Sequence, residues 1–349
     1  MAPLAVIACG MVTALGFNAP ATLAALRAGV SGVGATPWPD IETGEPLRGA
    51  RVRLPHWWEG VGKLADLVAP AIHECLQTEV QDSITDIPLL IGVAGRNRPG
   101  RVEGLDENLL DEIYARLDLP RHKDSQLFPF DEAGCFQALL AAQNLLNHSN
   151  ANYVVVAGVD SFLNSATLNG YMENRRLVTA TNSNGFFPSE AGTAALIGNY
   201  SARHADALCI YGLGLQQEIA TINSTEPLQA KGLTQAIKQA LDGAGVSLKD
   251  IAYRITDLTG EHYKFKEAAF AAARLNSVER KTPLDLWHPI EYLGAIGAAV
   301  LPCLLGQTMH AAQKGYASGP LALCHIGTDD GIRAAMVLGL HQQKGGKAL

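Results

Sequence analysis

Short, continuously apolar runs bounded by glycine or proline alternate along the chain with longer stretches of helical periodicity. Residues 4–9, 88–94, 153–158, 193–197, 252–258, 321–326 and 333–338, with a further run opening at Leu208, read as buried strands. Helices are expected over 19–28, 63–79, 107–117, 228–244, 266–275 and 293–305, with a shorter one around 168–172. A further alanine- and leucine-rich helix runs from Cys135 to Leu146. Residues 37–58, rich in proline, glycine and tryptophan, read as a surface excursion, and 342–347 as a frayed tail. Strands that are apolar on every position, alternating with helices, belong to sheets covered on both faces, which predicts an α/β fold with mostly parallel strands. The order strand, helix, strand begins again near residue 200. This predicts two similar halves, 1–203 and 204–349, although no residue-level repeat is visible.

Composition narrows the class. Hydrophobic residues make up 48% and charged residues 17% of the 349 positions, enough for a large core. A net charge of −7 argues against a general nucleic-acid binder. The 6 cysteines stand singly inside apolar runs, with no CxxC pair, which predicts reduced thiols in a cytoplasmic protein. No membrane partner is expected. The apolar N-terminus has no basic residue before Arg27, and the run 292–307 contains Pro302 and is shorter than the roughly 18–20 residues a span needs.

The candidate chemistry begins at Asp131-Glu132-Ala133-Gly134-Cys135, where a polar turn delivers a cysteine to the first turn of a helix that is followed by the strand at 153–158. Unpaired N–H groups and the positive dipole end at a helix N-terminus stabilise a thiolate. Turn, helix and buried strand in this order form a nucleophile elbow. The alternative is that Cys135 is a small apolar core residue, as most free cysteines are.

Several segments in register resemble a β-ketoacyl synthase of the thiolase superfamily. They are 10–16 with 26–32, Gly134-Cys135 with 156–161, 185–192, 231–253 and 293–298. The resemblance implies duplicated βαβαβαββ halves in an alternating helix–sheet sandwich, an active site beside a homodimer interface, and no cofactor or metal. In that family a cysteine accepts an acyl group from an acyl-carrier-protein thioester, and two histidines, or a histidine and an asparagine, support malonyl decarboxylation. Matched position by position, Cys135 falls on the cysteine, Asp257 on the first histidine and Glu291 on the second. Gly327 falls in the oxyanion loop, whose other donor is the Cys135 N–H. The family's lysine falls near Leu286. A small slip in alignment offers His262 or His288 instead. Glu190 is expected to brace backbone near the cysteine.

Carboxylates accept hydrogen bonds but do not donate them, and they repel a developing enolate. For Glu291 to donate, its pKa must climb from about 4.3 to about 7, roughly 3.7 kcal/mol. Two carboxylates also oppose a thiolate at Cys135 by more than the ~0.3–2 kcal/mol of one helix end. The substitutions therefore predict a degenerate synthase that no longer condenses and serves as a binding or heteromeric partner. The competing reading is an acyltransferase, a working 3-oxoacyl synthase that forms a thioester on Cys135 from carrier-protein or CoA thioesters. A metal site from Asp257, Glu261, His262, Glu291 and Cys135 mixes hard and soft ligands and is disfavoured. Arg96, Arg98 and Arg101 form a basic loop that could dock an acidic carrier protein or, more simply, be solvated. Trp57 and Trp58 are expected to pack under the surface excursion, and His148 to meet the C-terminal dipole of its helix.

Overall fold

The computed structural model describes residues 3–56, 58–77, 83–149, 151–276 and 283–341. The first half of the chain runs β1 (Leu4–Val12), α1 (Ala19–Arg27), a small pair β2 (Gly34–Pro39) and β3 (Pro46–Gly49), α2 (Val61–Leu76), β4 (Leu89–Val93) and α3 (Leu105–Leu117). It continues through β5 (Gln126–Pro129), α4 (Gly134–His148), β6 (Tyr153–Ser161), α5 (Ser165–Glu173) and β7 (Glu190–Asn199). The second half follows as β8 (Leu208–Gln217), α6 (Lys231–Ala244), β9 (Tyr253–Thr256), α7 (His262–Leu275) and β10 (Asp285–Trp287). It closes with α8 (Ile290–Leu293), α9 (Val300–Gln313), β11 (Ala322–Gly327) and β12 (Ile332–Leu340).

Local sequence explains most of the boundaries. Asn18 caps α1 by accepting from the Ala21 N–H at 2.8 Å, with Pro20 in the first turn where its missing N–H costs nothing. Asn164 caps α5 in the same way, accepting from Thr167 N at 2.9 Å. Asp106 and Glu107 sit at the positive end of α3. Pro302 lies in the first turn of α9, so it does not break the helix.

The strands order as β10-β9-β11-β12-β8-β1-β7-β6-β4-β5. Read outward from the centre, the two halves are β1-β7-β6-β4-β5 and β8-β12-β11-β9-β10, the same permutation of the strands in each. Pairing directions also repeat. β4 is parallel to β5 and β6, while β6, β7 and β1 run antiparallel in turn; β9 is parallel to β10 and β11, while β11, β12 and β8 run antiparallel. The halves join through β1 and β8, from Leu4 opposite Ile210 to Val6 opposite Leu208.

Both faces of each half are covered. Along β6, Val155, Ala157 and Val159 face α2 and α3, while Val154 and Val156 face a core shared with α4 and α9. In the second half Leu323, Ala335 and Val337 pack on Leu233, Ala236 and Ile237 of α6, while Cys324, Ala334 and Met336 join the α4–α9 core. The alternation of side chains is intact, but both sets are apolar, which is why the strands read as unbroken hydrophobic runs.

Four features depart from the sequence reading, the first being that the described strands are not mostly parallel: β11, β12, β8, β1, β7 and β6 pair antiparallel in turn. β5 and β10 were not expected, being short edge strands without a distinguishing pattern. The single helix expected over 293–305 is broken after α8. Gly294 (φ +72) and Gly297 (φ +49) take left-handed conformations, and a Cβ at 297 would lie 2.0 Å from Asp160 Oδ2. The 37–58 excursion is anchored rather than merely superficial: Leu47, Ala50 and Val52 are buried, and β2 pairs with β3. Trp58 stacks on His56 at 4.0 Å and donates to Asp66 at 2.6 Å. Trp57, Glu79 and the tail 342–347 lie outside the described residues.

Candidate functional site

After β5 the chain turns sharply. Asp131 adopts φ +49, residues Asp131–Ala133 form a 3-10 turn, and α4 starts at Gly134. Cys135 lies on the inner side of that first helical turn, over the paired glycines Gly92 of β4 and Gly158 of β6. It is fully buried. Its thiol has two carbonyl acceptors within reach, Ala298 O at 3.1 Å and Ala157 O at 3.3 Å. Burial pushes the thiol pKa far above its usual range, against a small opposing contribution from a Gly92 backbone contact. Desolvation at this position opposes a thiolate, and the sulfur is packed among core residues. The packing is tight. A Cβ at position 158 would lie 2.6 Å from Cys135 Sγ and 2.1 Å from Ala298 O. Gly158→Ala is expected to lower stability by about 2–3 kcal/mol, read as a shift in the urea midpoint.

Three residues earlier, Glu132 belongs to a different environment. Burial pushes its carboxyl up to about 8; Lys264 and Arg98 pull it down, and Asp131 and Asp329 push it up. It stands among charged groups from both halves of the chain. Asp131 Oδ1 accepts from Gly95 N at 2.7 Å and Arg98 Nε at 2.9 Å, and Arg98 Nη1 reaches Asp160 Oδ1 at 3.1 Å. The Arg98 guanidinium also covers the Phe162 ring at 4.1 Å. Arg176 joins Glu261 and Asp329, with Nη2 3.0 Å from Glu261 Oε2 and 3.1 Å from Asp329 Oδ1. Burial opposes ionisation of Asp329, but Arg176 and Lys264 outweigh it and hold the carboxyl below its ordinary range.

Asp257, at the end of β9, is tied on both oxygens. Oδ2 accepts from Lys264 Nζ at 3.2 Å and Gly327 N at 3.1 Å, and Oδ1 accepts from Thr256 Oγ1 at 3.3 Å. The Gly327 N–H, the expected oxyanion donor, donates here to the Asp257 carboxylate. Glu291 is exposed on α8, 3.9 Å from His288 Nδ1, and does not join Asp257 in the cluster. His262 is exposed at the start of α7, where its backbone N–H donates to Asn184. Glu190 is fully buried, accepting from Val52 N at 3.1 Å and Ser161 Oγ at 2.8 Å and pairing with Lys63 at 2.7 Å. Among the described residues no group of histidine, cysteine and carboxylate side chains is arranged to hold a metal.

The basic loop is also rearranged. Arg98 is turned inward and Arg101 bonds to Ala94 O and Asp106, leaving Arg96 as its exposed cation. A cleft of about 740 Å³ opens above the elbow between Arg98, Phe130, Asp131, Tyr171, Arg176 and Asp329. His148 contacts Asn144 O in the last turn of α4.

Several solved structures share this fold from end to end. A chain of the AntDE:AntF complex, in which a type II PKS acyl-carrier protein is bound to its ketosynthase, superposes with a TM-score of 0.79 at 12% identity, covering 97% of this chain and 100% of that one. The chain has the thiolase-like fold of the ketosynthases. A β-ketoacyl synthase from Burkholderia phymatum STM815 gives a TM-score of 0.73 at 15% identity, with 98% and 100% covered. The ketosynthase ApeO in complex with its chain length factor ApeC, from Xenorhabdus doucetiae, gives 0.72 at 15% identity, with 97% and 98% covered. The chain matches no protein-family model and no curated protein. No helix among the described residues is long and apolar enough to cross a membrane.

On this ketosynthase fold, the polar centre gathers Asp131, Glu132, Asp160, Asp257, Glu261 and Asp329 around Arg98, Arg176 and Lys264. The sequence does not single out Lys264, Arg176 and His325, and it presents Arg98 only as part of a basic loop and Glu132 only as part of the elbow turn. No spacing rule links them, because they come from five separate elements and loops.

Proposed function

We propose that this chain is a non-condensing, ketosynthase-like subunit that acts in the cytoplasm by binding a partner of the same fold, either a second copy or another ketosynthase-like chain. The observation that carries this reading is the burial of the Cys135 thiol against the Ala298 and Ala157 carbonyls, together with a polar centre in which Asp257 is paired with Lys264. Ion pairs occupy the region where condensation needs a nucleophile and hydrogen-bond donors. The pairing of a ketosynthase with a chain length factor in two of the similar structures supports a partner-binding role.

Intact-mass spectrometry tests the reading. Incubated with acyl-CoA and acyl-carrier thioesters over a range of chain lengths, the protein is expected to gain no covalent acyl mass. An adduct that forms on the native chain and disappears in Cys135→Ala would overturn the proposal and establish the acyltransferase reading instead.

A further inference from the structure

At the inner end of the polar centre, His325 lies on β11 beside its register partner Thr256 on β9, with 3% of its surface exposed. Its Nδ1 is 3.3 Å from Thr256 Oγ1, and that hydroxyl donates to Asp257 Oδ1 at 3.3 Å. A hydroxyl has one proton to give. With that proton directed at Asp257, Thr256 can only accept from the ring, so Nδ1 carries the imidazole hydrogen and Nε2 is a bare acceptor. Among the described residues, Nε2 is buried and meets no donor. Buried polar atoms in folded proteins rarely stay in that condition.

The space beside the ring supplies an explanation. His325 lines a cavity of about 20 Å³ together with Asp257, Lys264, Glu267, Thr328 and Arg333. A polar cavity of roughly 10–15 Å³ or more is sufficient for one water molecule that finds two to four partners. Lys264 uses two of its three N–H donors, on Asp257 Oδ2 and Gly327 O, and the third is left for another acceptor. Glu267 accepts from Arg333 Nε at 2.8 Å, and Arg333 also donates to Thr328 O and Tyr263 Oη.

We propose that this cavity is a single-water site, in which an internal water accepts from Lys264 and donates to His325 Nε2. The water closes a chain that runs Asp257, Thr256, His325, water, Lys264 and back to Asp257. It makes the imidazole a structural member of the polar centre. Burial and the neighbouring Arg254 and Arg333 lower the ring pKa to about 4 against the opposing pull of Asp257, in keeping with a neutral ring. The site does not depend on whether the subunit condenses.

Two measurements on the full-length native protein test it. In long-range ¹H–¹⁵N correlation spectra of histidine-labelled protein near neutral pH, the His325 signals, assigned by their loss in His325→Gln, are expected to show a protonated Nδ1 and an unprotonated Nε2. A crystal structure at a resolution that shows ordered water is expected to place one solvent peak within hydrogen-bond reach of both Nε2 and Lys264 Nζ. A proton on Nε2, an imidazolium, or a direct protein donor on Nε2 with no solvent in the cavity would each overturn the proposal.

Discussion

Arg98→Met is expected to lower unfolding free energy by about 3–5 kcal/mol, the cost of leaving buried charge without its partner. The Arg98 guanidinium is the one cation shared by Asp131 and Asp160 through direct hydrogen bonds among the described residues. Burial already raises the Asp160 pKa, with Arg98 and the Ala298 N–H at 3.0 Å opposing it. Without the arginine, Asp160 would have to take up a proton or remain charged in a sealed site. Methionine keeps most of the bulk over Phe162, so lost packing is a minor part of the effect. Equilibrium urea unfolding of Arg98→Met and of the triple variant Arg98→Met, Asp131→Asn, Asp160→Asn separates the causes. The triple variant is expected to recover much of the loss, and equal destabilisation of both would show that shape rather than charge is what Arg98 supplies.

Glu132→Gln is expected to act in the opposite direction, by an amount set by pH. In the folded chain the carboxyl pKa is pushed up from 4.5 to about 8. Between those values the folded state holds a proton that the unfolded state has released. Stability from this group is therefore full below pH 4.5, declines as pH rises, and is lost above pH 8. The limiting slope is about 1.4 kcal/mol per pH unit. Glutamine resembles the protonated form and does not titrate. The variant should match the native protein near pH 5 and exceed it by on the order of 2 kcal/mol at pH 8.5, after allowance for solvent screening at a half-buried group. Urea unfolding at the two pH values measures this difference, and taking it between variant and native cancels the other titrating groups. A pH-independent difference would mean that Glu132 stays ionised in the folded protein.

The carboxyl at the elbow bears directly on the proposed role. In a condensing ketosynthase the elbow must present a nucleophile that forms and breaks a thioester. Here the same turn contributes to a charged network that joins loops of both halves: Arg98 binds Asp131 and Asp160, Arg176 binds Glu261 and Asp329, and Lys264 binds Asp257. Such a network holds the two halves in register around the cleft, a property suited to a subunit whose work is to be bound.

The amino-acid sequence by itself determined the layered α/β class, the position of most strands and helices, and the restart of the pattern near residue 200. These follow from local periodicity, which survives in strands such as β6 and β11 because burial on both faces makes them continuously apolar. Only the tertiary structure decided that the Cys135 sulfur is packed over Gly92 and Gly158 in the core. Only packing shows that Glu291 points outward, that the basic loop folds in upon Asp131 and Asp160, and that His325 reaches Thr256 across a strand pair. Those outcomes depend on contacts between residues far apart along the chain, and no local pattern encodes which distant partner a buried charge will meet.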